Sequence, residues 1–89
     1  MGWNCVSYVR EKVELPLGLW TLSDKKKIIN SYEPTKNAVV ITPEAGVGHL
    51  AIVKEILDDF IIIEEGNYIH GYKTIRKISK ELPIGYYKD

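Results

Sequence analysis

HLAIVKEILDDFIIIEEGNY, residues 49–68, reads as two apolar, β-branched runs separated by a pair of aspartates. Val, Ile and Phe at this density favour extended backbone, and a short polar break between two such runs is a hairpin signal. Side chains alternate faces along a strand, so Glu65 and Asn67 share a face with Ile61 and Ile63, while Glu64 takes the other. If the turn is the three residues Leu57-Asp58-Asp59, His49 lies opposite Asn67 and Ala51 opposite Glu65. Glu65 is then a diagonal neighbour of His49 on the same face. A two-residue Asp58-Asp59 turn moves the register by one and brings Glu64 to the histidine's face instead. A His49–Glu65 pairing therefore predicts an odd-length turn.

Working outward, AVVIT (38–42), YKTIRKI (72–78) and IGYY (84–87) have the same β-branched or aromatic character and are bounded by turn residues. About five strands with short connections suit antiparallel pairing. Before residue 37 the period changes. Val6, Val9 and Val13 recur at spacings of three and four, which predicts a helix over about 4–13, with Asn4 or a neighbour as its cap. Pro16 and Gly18 break the chain, and Thr21 or Ser23 caps a second helix over roughly 23–31, ended before Pro34. Lys25-Lys26-Lys27 reads as a solvated face of that helix beside buried Ile28 and Ile29. Helices first and strands afterwards predict an α+β domain, with N-terminal helices packed on a roughly five-stranded antiparallel sheet.

The 89 residues make one domain, 1–89, near the lower end of what buries a useful core. Twelve basic and twelve acidic side chains cancel, so no global field is available to hold a nucleic acid or an anionic membrane. Neither a signal peptide nor an apolar run of membrane-spanning length is visible. The single cysteine, Cys5, has no internal disulfide partner.

Cys5 falls at the start of the first helix, where unpaired N–H groups and the positive end of the helix dipole favour a thiolate. His49 follows Gly46-Val47-Gly48, which places its ring at a strand end, suited to taking a thiol proton and returning it to a leaving amine. Glu65 or Asn67 beside that imidazole would fix its tautomer, the third role in a nucleophile, base and orienter arrangement. His70, in the loop YIHGY, reads as solvent-exposed and is the weaker base. Trp20 reads as a core residue, and Trp3 suits either core or cleft.

WNCVSYVR, GHLAIVKEI some forty residues later, and EEGNY resemble, in order and spacing, the CHAP family of cysteine, histidine-dependent amidohydrolases and peptidases. The resemblance extends over nearly the whole chain. It implies a papain-like fold and cleavage of a peptidoglycan amide bond, as an N-acetylmuramoyl-L-alanine amidase or an endopeptidase. Carried over by motif, Cys5 matches the nucleophile, His49 the general base, Glu65 the acid that orients it and Asn67 the polar residue beside it. Trp3 and Tyr68 are the implied substrate contacts, and Tyr8 matches an aromatic position that packs in the core. No cofactor is implied, and the calcium-binding acidic loop that some members carry ahead of the cysteine has no room before Cys5, so no metal is expected. The expected partner is peptidoglycan, met at the cell wall after lysis or release, as for a phage-type lytic enzyme. Two other readings stay open: a related thiol hydrolase or acyltransferase on another amide or ester, and a non-catalytic module that keeps the fold.

Overall fold

The computed structural model describes residues 5–44, 46–66 and 73–88, with Cys5 placed by its backbone alone. The chain is α+β. Helices α1 (Cys5–Lys12) and α2 (Leu22–Lys26) precede strands β1 (Val39–Thr42), β2 (His49–Ile56), β3 (Phe60–Gly66), β4 (Lys73–Ser79) and β5 (Gly85–Tyr87). All strand pairs are antiparallel, in the order β4-β3-β2-β1-β5.

The first helix ends where expected, a few residues ahead of Pro16, with Arg10 and Lys12 in its last turn next to the negative end of the dipole. It is held by packing: Tyr8 and Val9 are buried with Leu50 and Ile52 of β2 and Val39 and Ile41 of β1. The second helix starts with a capping box, in which the Thr21 hydroxyl accepts from the Asp24 N–H and the Asp24 carboxylate accepts from the Thr21 N–H. It stops at Lys26, short of the expected residue 31. The N–H groups of Lys27, Ile28 and Ile29 donate to carbonyls three residues back, at 3.3 Å, the tighter winding common at helix ends. The chain thereby carries Ile29 onto Gly85, where its side-chain carbons occupy the space a Cβ would need. Lys25 is not solvated as its triplet suggested, for it is only 2% exposed.

The sheet's other face carries a second cluster: Val40, Ala51, Val53, Ile61, Ile63, Ile78 and Tyr86, with Leu82 packed against it. Among the described residues no helix side chain joins this cluster, which unites Ile78 of β4 with Tyr86 of β5; the sheet encloses it by curling. β4 and β5 lie at opposite edges, and a flat sheet would separate them by about 19 Å. The link from Ser79 to Gly85 reaches at most about 20 Å when fully extended. It is not extended, since Leu82 N–H turns back onto the Ser79 carbonyl and Ile84 N–H already donates to Ile41 of β1. The edges therefore approach each other around the second cluster, which becomes an inner face, and α1 covers the outer one.

The β2–β3 hairpin corrects one expectation and explains how its consequence survives. Leu57 N–H donates to the Phe60 carbonyl at 2.8 Å, and Ile56 pairs with Ile61, so the turn is the two residues Asp58-Asp59. Left uninterrupted, that register would put Glu64, rather than Glu65, on the face of His49. A β-bulge between Val53 and Glu55 absorbs Lys54, and beyond it Val53 pairs with Ile63 and Ile52 with Glu64. The extra residue restores the pairing phase that an odd-length turn would have given, and Glu65 returns to the face of His49.

Candidate functional site

At one end of the inner face a row of polar side chains crosses four strands: Thr42 from β1, His49 from β2, Glu65 from β3 and Arg76 from β4. Glu44, from the β1–β2 connection, joins it. Each lies where pairing dictates. Thr42 pairs with His49, and Arg76 pairs with Ile63, which puts it diagonal to Glu65.

His49 Nε2 lies 2.5 Å from Glu65 Oε1, with the two side chains 17% and 10% exposed. Arg76 Nη2 donates to the same oxygen at 3.0 Å, and Arg76 Nε lies 3.0 Å from Glu65 Oε2. Arg76 also grips Glu44 with both terminal nitrogens, at 2.9 and 2.7 Å, and the Thr42 hydroxyl donates to Glu44 at 2.9 Å. One planar guanidinium thus bridges two carboxylates, a geometry a lysine cannot reproduce. Burial works against the Glu65 carboxylate, but the hydrogen bonds and charges of His49 and Arg76 outweigh it and hold it below the ordinary range. Arg76, aided by Thr42, pulls Glu44 down to about 2. Arg76 is in turn held well above its usual range, chiefly by Glu44. Glu65 is therefore a fixed anion at neutral pH. Nε2 is committed to it, and the carboxylate stabilises the imidazolium formed when the ring takes a proton.

The neighbouring acid has a separate task. Glu64, on the outer face, meets the Tyr8 hydroxyl of α1 and lies 3.3 Å from Lys73. The Tyr8 bond and Lys73 keep its carboxylate below the ordinary range, while burial and then Glu64 push the tyrosine up. Tyr8, 3% exposed, is a core residue as expected.

His49 and Glu65 are thus brought together. Asn67, Tyr68, Trp3 and His70 lie outside the described residues, as does the Cys5 side chain, and with it the Cys5–His49 distance. The backbone of Cys5 opens α1. The residues after it, Val6 and Ser7, line a groove shared with Val47 and Gly48, the residues just before His49. The helix start and the strand start therefore border the same space. Trp20, expected in the core, is 81% exposed on the rim of that groove. Pro16 and Gly18, the latter at φ +80°, turn the chain so that Leu19 rather than Trp20 is buried. Glu44 and Arg76 were not marked by the sequence reading. Arg76 interrupts a strand's inner face, two residues from buried Ile78, and an inward arginine requires carboxylates to meet it.

Gly48 has φ +83°, and an added Cβ would meet Leu22 Cδ1 at 2.9 Å and Lys25 Cδ at 3.0 Å. Gly48→Ala is expected to cost about 1–2 kcal/mol from backbone strain and crowding. Gly46→Ala, at φ +76° with nothing within 4 Å, is expected to cost less. Urea midpoints of the two variants check the order.

No protein-family model, curated protein or solved structure matches the chain. Among the described residues, no helix is long and apolar enough to cross a membrane.

Proposed function

We propose that the protein is a cysteine amidohydrolase or peptidase of papain-like design that cuts an amide bond in peptidoglycan, with Cys5 as nucleophile and His49 as base. The observation that carries the reading is the His49 Nε2–Glu65 contact, delivered by a bulge and fixed by Arg76. A surface histidine needs no such support, whereas a general base needs its tautomer fixed. Cys5 supports it by opening a helix that borders the same groove as the approach to His49.

In this reaction His49 takes the thiol proton and the Cys5 sulfur attacks the amide carbon. N–H groups at the start of α1 stabilise the oxyanion, and the imidazolium protonates the departing amine. Water, activated by the same imidazole, then releases the acyl group and regenerates the thiol.

The test is incubation of purified peptidoglycan with the protein, with new termini identified by mass, beside iodoacetamide alkylation near neutral pH. Free muramoyl lactate carboxyls with free alanine amines define an amidase, and new amines inside the peptides without free lactate carboxyls define an endopeptidase. Rapid alkylation of Cys5 without new termini would move the reading to a thiol hydrolase or acyltransferase on another substrate. A Cys5 that alkylates only on unfolding would leave a non-catalytic module.

A further inference from the structure

The groove beside the site contains a lysine for which the reaction above has no use. The space, about 420 Å³, is lined by Val6 and Arg10 of α1, Leu17 and Trp20 of the α1–α2 connection, Lys25 of α2 and Gly48. Lys25 is 2% exposed, and its ammonium donates to the Val47 carbonyl at 2.7 Å. An ammonium has three protons to place, and burying one without a counter-charge is costly. Among the described residues no carboxylate lies within 4 Å of it. Arg10 spends one nitrogen on the Leu15 carbonyl at 3.0 Å and likewise has no carboxylate within 4 Å among the described residues. Two cations thus line one groove with no acid among the described residues paired to either. Leu17 and Trp20, 87% and 81% exposed, line the same groove and give it apolar surface.

We infer that the groove is a subsite for a short peptide segment bearing a free carboxylate, seated between Lys25 and Arg10, with its aliphatic part against Leu17 and Trp20. This rests on the proposed amide chemistry for the choice of a peptide as carrier. The charge argument stands without it. An anion here completes the coordination of a buried ammonium at little reorganisation cost, so the subsite selects acidic peptides by charge. Its position, against Val6 and Gly48, sets the carboxylate close to the bond to be cut.

The test uses the full chain with Cys5→Ser, which removes turnover, and two blocked tetrapeptides, acetyl-Ala-Glu-Ala-Leu-amide and its Gln counterpart, titrated calorimetrically at low salt. The Glu peptide is expected to bind at least about tenfold more tightly than the Gln peptide. That preference should vanish in Lys25→Met and shrink in Arg10→Gln, and added salt should weaken it. Equal binding of both peptides, no binding of the Glu peptide, or a preference that survives Arg10→Gln unchanged would overturn the assignment. The Arg10 variant carries the test alone if Lys25→Met does not fold. Wall cleavage without the preference would remove the subsite and leave the enzyme, and the preference without cleavage would do the reverse.

Discussion

Cys5→Ala and His49→Ala are each expected to lower peptidoglycan cleavage by about 10³-fold or more, and the double variant is expected to lose no more than either single one. Residues that act as a unit fail as a unit, because the thiol without its base and the base without its thiol perform the same missing step. Glu65→Gln, which keeps an acceptor but loses the charge, should fall between, at about 10- to 10²-fold below wild type. The fold should persist in His49→Ala, since Glu65 keeps its two contacts with Arg76. Turbidity loss of purified walls, with urea midpoints as the folding control, reads all four variants. Full clearing by His49→Ala with loss in His70→Ala would move the base to the other histidine.

Arg76→Met is expected to give the largest loss of stability, about 2–4 kcal/mol at neutral pH. The change leaves Glu44 and Glu65 facing each other without the guanidinium that both of them use. The pH dependence identifies the cause. Both carboxylates titrate lower in the folded chain than in the unfolded one, so their contribution is complete above the ordinary glutamate range. For Glu44 it is lost as pH falls from about 4.5 toward about 2. In Arg76→Met that contribution is already gone, so the deficit should be widest at pH 7 and should narrow below about 4.5. A deficit that stayed constant from pH 7 to pH 3 would show that the arginine acts by packing its stem rather than through its charge.

Much of this architecture can be read from the chain because the apolar pattern is dense where the strands are. The five segments marked by β-branched and aromatic residues are the five strands, and the Val6-Val9-Val13 spacing marks α1. His49 and Glu65 were also legible, since alternation alone puts them within reach once the register is right. The register was right for a different reason from the one expected. Nothing in VKEIL distinguishes a regular strand from one that bulges at Lys54, because a bulge is settled by pairing with the neighbouring strand rather than by the local sequence. Trp20 and Lys25 were misjudged together. Hydropathy places a tryptophan inside and a lysine outside, but the turn at Pro16-Leu17-Gly18 and the approach of Val47 exchange them. Glu44 and Arg76 went unmarked because their partnership spans 32 positions and exists only after the sheet has assembled.

The strand FIIIEEG, 60–66, is written in a degenerate alphabet. Slid by one position toward its start, its inner face reads Phe60, Ile62 and Glu64 in place of Ile61, Ile63 and Glu65, two apolar residues and an acid in the same places, so the inner-face pattern alone does not choose the frame. The choice is made by its readers. Arg76 and His49 accept one acid, while Tyr8 and Lys73 accept the other. Each pair recognises its glutamate by position, since composition cannot tell them apart. A designer who wished to retune this protein would therefore find the doubled letters forgiving and the readers strict. The information that fixes the frame is held by the neighbours of β3, and a change of sign at Arg76 or Lys73 would rewrite a strand in which no letter had been altered.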